Sequence, residues 1–344
     1  MLEGRRVIAQ RQASLRIGRR AFLSGACAVA PASLLKAAQA EPAPETARIR
    51  LFHTPALCLA PTYLAEELLR LEGFSEVEYV ELEASTYSGA LATGSGDLGM
   101  ATAPGLIPAI DAGQPIVVLA GVHAGCYELF SSERIRSIRE LKGRSLAVGG
   151  IGSGDHIFLA SIVAYVGMDP RKDIRWVTSG GYEQSLRLFV DGRVDAFLGF
   201  APQPQELRAR KIGRVILSTT HDRPWSQYFC CMVAANREFA DHHPIATKRA
   251  LRAILKAADI CAQDPERVAR FLAEKGYEPR YEIALEVLRE LPYRRWRDAD
   301  PEDTLRFHAL RLHEVGMVKT NPNKLIAQGT QWRFLNELKK ELRA

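Results

Sequence analysis

The stretch RSLAVGGIGSGDHIFLASIVAYVGMDPRKDIRWVT, residues 144–178, contains one complete unit of alternating structure. RSLAVGG (144–150) reads as a short apolar strand, and GIGSGDHI (150–157) as a glycine-containing turn. DHIFLASIVAYVG (155–167) is apolar at helical spacing, and DIRWVT (173–178) returns to a strand. Strands alternating with helices of about ten to fifteen residues predict parallel sheets with helices on both faces.

The same rhythm extends in both directions. Toward the N-terminus, RIRLFH (48–53) is followed by the helix APTYLAEELLRLEGF (60–74), ended by Gly73, and by VEYVEL (77–82). DLGMA (97–101) and PIVVLAG (115–121) flank TAPGLIPAIDAGQ (102–114). Toward the C-terminus come the helix YEQSLRLFVDG (182–192) and the strand VDAFLGF (194–200). From His243 onward the pattern is almost wholly helical. The predicted fold is therefore α/β, with two α/β lobes and a helical C-terminal part. One unit ends and the next begins near GVHAGCYELF (121–130), and YFCCMVAA (228–235) leads the chain back. This predicts one lobe from 46–123 plus 230–344 and another from 124–229, joined by two hinge crossings. A hinged pair of lobes creates a cleft where small ligands settle.

IGRRAFLSGACAVAPASLLKAAQA (17–40) reads as an address rather than a first helix. It has a basic start, a short apolar middle and a small-x-small ending, in the order of a signal peptide. Arg19 and Arg20 before Ala21-Phe22-Leu23 resemble the twin-arginine signal, which implies export through that machinery. A lipoprotein ending at Cys27 is rejected, because too little apolar length precedes it. The chain holds 46 Lys+Arg and 40 Asp+Glu. Residues 1–40 contain seven of those bases and one acid, leaving 39 of each sign. The apparent basicity thus belongs to the leader, and the charge gives no sign of nucleic-acid binding. Five cysteines follow the leader, an odd and scattered count that is no disulfide framework.

In this order and spacing, the strand and helix stretches above, with SLRLFVDGRVDAFLGFAPQPQELRARKIG (185–213) and VAANREFADHHPIATKRALRAILKA (233–257), resemble a known family. It is the periplasmic solute-binding proteins of the nitrate, sulfonate and taurine class of ABC importers, with relatives that bind thiamine pyrimidine precursors. The resemblance implies a type II-like periplasmic binding protein fold and a periplasmic monomer. It also implies delivery of a small organic ligand, a sulfonate, aromatic acid or related heterocycle, to a permease and its ATPase.

In an open α/β sheet, ligands bind outside the carboxyl ends of the strands. Helices that begin there offer free N–H groups and a positive dipole end. HTPALCLAPT (53–62), ATAPGL (101–106) and GIGSGDHI (150–157) hold that position, giving His53, Thr54, Leu57, Thr102, Ser153, Asp155 and His156 as candidate contacts. Asp155 reads first as a helix cap and only second as a ligand contact, while His156 reads equally as a contact or a buried helix residue. GFAPQP (199–204) adds Phe200, and the first crossing adds His123 and Tyr127. Trp225 and Tyr228, beside the second crossing, either cover the ligand or pack the hinge. None of these loops carries Lys or Arg. That favours a ligand with a flat or apolar body and at most one anionic group.

An enzyme reading is weaker. The fungal and plant synthase of the thiamine pyrimidine resembles these binding proteins and carries a run of adjacent cysteines, of which only Cys230 and Cys231 are matched here. No G-x-S-x-G, H-E-x-x-H, P-loop or C-x-x-C occurs, so no catalytic residue and no cofactor is predicted. A metal-dependent binder is the alternative, because His53, Cys58, His123, Cys126 and His156 could gather in one cleft. Their spacing is not zinc-like, and no metal ligand is assigned from it.

Overall fold

The computed structural model describes residues 41–54, 56–82 and 87–342. The signal predicted over 1–40 lies outside them. The chain enters through β1 (Arg48–His53), α1 (Ala60–Leu71), β2 (Glu76–Glu81) and α2 (Tyr87–Ala92). It continues through β3 (Leu98–Thr102), α3 (Ala103–Asp111) and β4 (Ile116–Ala124). A second series runs β5 (Tyr127–Ser131), β6 (Ser145–Val148), α4 (Gly154–Tyr165) and β7 (Arg175–Thr178). It ends with α5 (Tyr182–Val190), β8 (Ala196–Phe200), α6 (Gln203–Arg210) and β9 (Arg214–Ser218). After β10 (Phe229–Asn236) come α7 (Arg237–His242), α8 (Pro244–Gln263), α9 (Pro265–Glu274) and α10 (Tyr281–Glu290). The last helices are α11 (Pro301–Glu314), α12 (Pro322–Gly329) and α13 (Arg333–Glu341).

Two five-stranded sheets result, ordered β2-β1-β3-β10-β4 and β7-β6-β8-β5-β9. Both are mixed, which corrects the expectation of purely parallel sheets. β10 runs antiparallel to β3 and β4, and β5 runs antiparallel to β8 and β9. Each is the first strand after the chain has passed from the other sheet. The chain leaves β4 at its carboxyl end, on the crevice side, and enters the second sheet from that same side. β5 must therefore run away from the crevice, against its neighbours, and β10 does the same on the return.

Burial follows strand position. Every residue of β4, β5, β6, β8 and β10 is buried, as expected for strands covered on both faces. The edge strands β2 and β7 have exposed ends. α4 is buried from Asp155 to Ala164, apolar nearly all round because it lies among other helices rather than on the surface. Among the described residues no helix is long and apolar enough to cross a membrane.

Candidate ligand cavity and its sulfur-lined floor

A cavity opens where the carboxyl ends of both sheets face each other. Its walls include Thr54 after β1, Thr102 at the end of β3, Gly154 at the start of α4 and Tyr182 at the start of α5. Phe200 at the end of β8 and Tyr127 at the start of β5 complete that side. About 80 Å³ is open to the centre of a water-sized sphere. That is well above the roughly 10–15 Å³ a cavity needs before it can hold a single water, and is room for a small solute. No Lys or Arg lines it among the described residues. Polar character comes from hydroxyls instead, and Thr54 Oγ1 and Tyr87 Oη are buried without a hydrogen-bond partner. Buried hydroxyls left unpaired are costly, so a side-chain rotation that brought either one to a polar group on a ligand would recover that cost.

The elements that meet here are tightly apposed. A Cβ on Gly105 would stand 2.6 Å from Thr102 Oγ1 and 3.4 Å from Gly154 Cα, so the starts of α3 and α4 are nearly in contact. The Leu57 amide donates to the Ala201 carbonyl at 3.1 Å, joining the loop after β1 to the end of β8. Phe200 packs edge-on to Tyr182 at 4.8 Å and obliquely to Tyr127 at 5.6 Å.

Of the candidate residues, Thr54, Thr102, Tyr127 and Phe200 reach the cavity wall, and eight others are placed differently. His53 pairs with Glu81 at 2.7 Å and packs against Tyr63 and Tyr277. Leu57 is buried behind the wall. Asp155 accepts hydrogen bonds from the Gly149 and His156 amides at 2.8 and 2.9 Å and from the Ser153 hydroxyl, which shapes the turn. Burial raises the Asp155 pKa, with these bonds opposing the rise. His156 accepts from the Gly152 amide at 3.1 Å and lies edge-on to Trp176 at 4.7 Å. Burial pushes its pKa down to about 4, so the ring is neutral at neutral pH. It reaches the cavity only through Gly152, which does line it. Trp225 packs against Tyr165 and Tyr228 stacks on Phe307 at 4.2 Å, both away from the wall. His123 is fully buried.

The wall also contains Tyr87, Ser88, Met100, Tyr182, Cys58 and Cys231, none of which stands among the sequence candidates for ligand contact. Tyr182 follows a strand end as Thr102 does, so the carboxyl-end rule applied to β7 would have found it. Cys58 and Cys231 mark the cavity floor, where His123 and Cys126 join them. Of the five soft residues picked out in the sequence, three converge here; Cys231 takes the place of His53 and His156. Burial alone would lower the His123 pKa, but the Cys231 and Cys58 thiols more than offset it, to about 10. Cys230 lies to the side with its Sγ 2.8 Å from Cys126 Sγ. Burial raises its pKa, yet hydrogen bonds from Cys126 and Cys231 bring it down to about 7.

A ligand-sized cavity between the carboxyl ends of two mixed sheets, with the chain passing twice between them, is the architecture of the periplasmic binding protein fold. The chain belongs to the NMT1/THI5-like family, whose model matches residues 62–268. Among solved structures it is similar to the periplasmic nitrate-binding protein NrtA from Synechocystis PCC 6803. The TM-score is 0.73 at 16% identity, covering 88% of this chain and 90% of that one. It is similar too to the alkanesulfonate-binding protein SsuA from Xanthomonas axonopodis pv. citri, solved with MOPS bound. There the TM-score is 0.69 at 20% identity, over 85% and 99% of the two chains. The periplasmic aliphatic sulphonate binding protein SsuA from Escherichia coli gives 0.63 at 20% identity, over 83% and 92%. No curated protein matches the sequence.

Proposed function

We propose that this chain is the solute-capturing component of an ABC importer, working in the periplasm and handing a small organic ligand to a permease driven by an ATPase. The observation that carries this reading is a cavity whose walls come from both sheets at once. Thr54 and Thr102 lie on one side, with Tyr127, Tyr182 and Phe200 on the other. A ligand held by both sides favours the closed arrangement only by its differential affinity for it, so such shared walls are what capture by closure requires. The lobes would be 46–123 plus 230–344 and 124–229, moving about the β4–β5 and β9–β10 passages. The twin-arginine-type leader over residues 1–40 would direct export.

The wall chemistry narrows the ligand. Aromatic rings and unpaired hydroxyls without a cation suit a flat or apolar body carrying hydrogen-bonding groups and at most one negative charge. The starts of α3 and α4 supply the dipole for that charge. A compact dianion would call for an arginine fork. The matched solved structures bind nitrate and sulfonates, so singly charged oxyanions with a carbon body belong in the first panel.

Thermal-shift screening of the purified protein against sulfonates, aromatic acids, pyrimidines and ureas is the test. A ligand present at 100 times its dissociation constant adds ~2.7 kcal/mol to stability, a readily measured rise in melting temperature. A folded protein that no panel stabilises would remove the capture reading.

A further inference from the structure

Four soft side chains meet beneath the cavity. The sulfur atoms of Cys58, Cys126 and Cys231 and a ring nitrogen of His123 all lie within 4.8 Å of one another, and all four residues are buried. They arrive from three separate parts of the chain: the turn before α1, the β4–β5 passage and β10. We propose that these residues hold one thiophilic d10 metal ion, zinc(II) or copper(I), in a closed site of three sulfurs and one nitrogen. This goes beyond solute capture and stands on separate observations.

The geometry is close to what such an ion needs. Tetrahedral zinc with sulfur at about 2.3 Å separates neighbouring ligand atoms by about 3.8 Å, so the present set needs to draw in by only about 1 Å. The donors are thiols and one imidazole with no oxygen among them. That chemistry selects zinc(II) or copper(I) and disfavours magnesium or calcium.

The histidine supplies the second, independent observation. His123 Nδ1 lies 3.2 Å from the Ala124 carbonyl, a partner that can only accept, so Nδ1 carries the hydrogen. Nε2, fully buried and without a hydrogen-bond partner, is therefore the nitrogen left to bind an ion, and the proton that the nearby thiols favour there in the empty site leaves as the ion takes its place. Its neighbours are the Cys58 and Cys231 thiols. An imidazole whose far nitrogen is pinned by a backbone carbonyl is oriented as metal-ligating histidines are. Cys126, moreover, has φ of +96°, a left-handed conformation that a cysteine adopts at a cost and that directs its thiol into the cluster.

The rival use of these thiols is covalent. Cys230 Sγ, 2.8 Å from Cys126 Sγ, would form a disulfide if an oxidant such as a periplasmic disulfide exchanger took the two protons and two electrons. That would remove Cys126 from the metal set. Metal loading instead releases a proton from each thiol that binds as thiolate, with no oxidant.

The test takes the purified full chain, stripped by chelator under reducing, oxygen-free conditions. It is titrated separately with zinc(II), copper(I) and cobalt(II) as a spectroscopic reporter. One ion per chain is expected, together with a thiolate-to-cobalt charge-transfer band and the visible bands of a tetrahedral site. The zinc and copper(I) titrations identify which ion binds more tightly. Cys231→Ser and His123→Gln should each weaken binding by at least about tenfold. Cys261→Ser, a buried thiol in α8 outside the cluster, should leave it unchanged. If a variant fails to fold, the cobalt spectrum of the unaltered chain decides alone. Absence of the thiolate band, or native protein recovered with a Cys126–Cys230 disulfide and no metal, overturns the proposal. So does equal weakening by Cys261→Ser.

Discussion

Ser161 and His308 share a buried 2.8 Å hydrogen bond that ties α4 to α11. Helices from the two sheet regions are thereby joined at a point with almost no solvent contact. Phe158 and Phe307 pack edge-on to the imidazole at 5.4 and 5.0 Å. Burial lowers the His308 pKa to about 3, so the folded protein holds the ring neutral. The unfolded chain binds its proton near pH 6.5, which puts the folded value below the unfolded one. The stability associated with the neutral ring is complete above about pH 6.5 and is lost as pH falls toward 3. The slope is ~1.4 kcal/mol per pH unit. Urea midpoints measured across this range should fall more steeply for the natural chain than for His308→Gln. Parallel curves would show that His308 does not govern acid sensitivity.

Gly105 lines the cavity where the starts of α3 and α4 are nearly in contact. In Gly105→Ala the new methyl meets Thr102 Oγ1 at 2.6 Å, so the threonine must rotate and the cavity loses about the volume of one water. Alanine favours a helix interior over glycine by ~1 kcal/mol, so α3 should hold. Affinity for the ligand found by screening should drop about tenfold, equivalent to ~1.4 kcal/mol, with little change in melting temperature. Calorimetric titration makes the comparison, and unchanged affinity would place the ligand elsewhere.

Arg208 forms a clasp between α6 and α10. Its guanidinium pairs with Glu286 at 2.9 Å and Glu290 at 2.6 Å, and with Glu128 on β5. The guanidinium and its α10 partners are part-exposed, so each of those pairs is worth ~0–1 kcal/mol after screening. Glu128 is more deeply buried, and burial raises its pKa even beside the arginine. Arg208→Met should raise the ligand dissociation constant by about two- to fivefold at low salt, with the gap closing in high salt. A difference that ignores ionic strength would mean that packing, not charge, holds the two helices together.

The sequence was most readable where local pattern and topology agree. RIRLFH is β1 residue for residue, and α8 begins at Pro244 because proline suits a helix's first turn. β5 begins only three residues after β4 ends, which hides the change of sheet. β9 opens on the exposed Arg214 and Val215, which masks it as a strand. The carboxyl-end rule points to Thr54, Thr102 and Phe200, which line the cavity, because each sits directly at a strand end. It could not point to Cys231, whose place on the cavity floor depends on an antiparallel pairing with Thr102 and His123 that no local pattern encodes. The register of β10 against β4 shifts on either side of Cys231, so both cysteines come near Cys126 but only one of them lines the cavity. Which one is a matter of register. Likewise Asp155 and His156 were placed beside the cleft by their loop, but their own hydrogen bonds turn them toward the backbone of that loop.

Residues 42–45 are tied to the start of α8 by contacts that bear on where the proposed leader is removed. Arg249 Nη2 donates to the Pro42 carbonyl at 2.9 Å, and the Glu45 carboxylate accepts from the Ile245 and Ala246 amides at 2.9 and 2.8 Å. These amides open α8, where a carboxylate is worth roughly 0.5–1 kcal/mol against the helix dipole. Burial opposes ionisation of Glu45, but the two amide bonds keep its pKa below the usual carboxylate range. Cleavage after Ala40 spares both contacts, whereas cleavage beyond Glu45 would strip the cap from α8, the longest helix among the described residues. Mass spectrometry of protein recovered from the periplasm should therefore find Glu41 at or near the new N-terminus. Changing Arg19 and Arg20 together to Lys should leave precursor in the cytoplasm, because the paired arginines are what the folded-protein route reads. Normal export of that double variant would assign the proposed leader to the general secretory route instead, and a mature N-terminus beyond Glu45 would show that the Glu45 contact is dispensable.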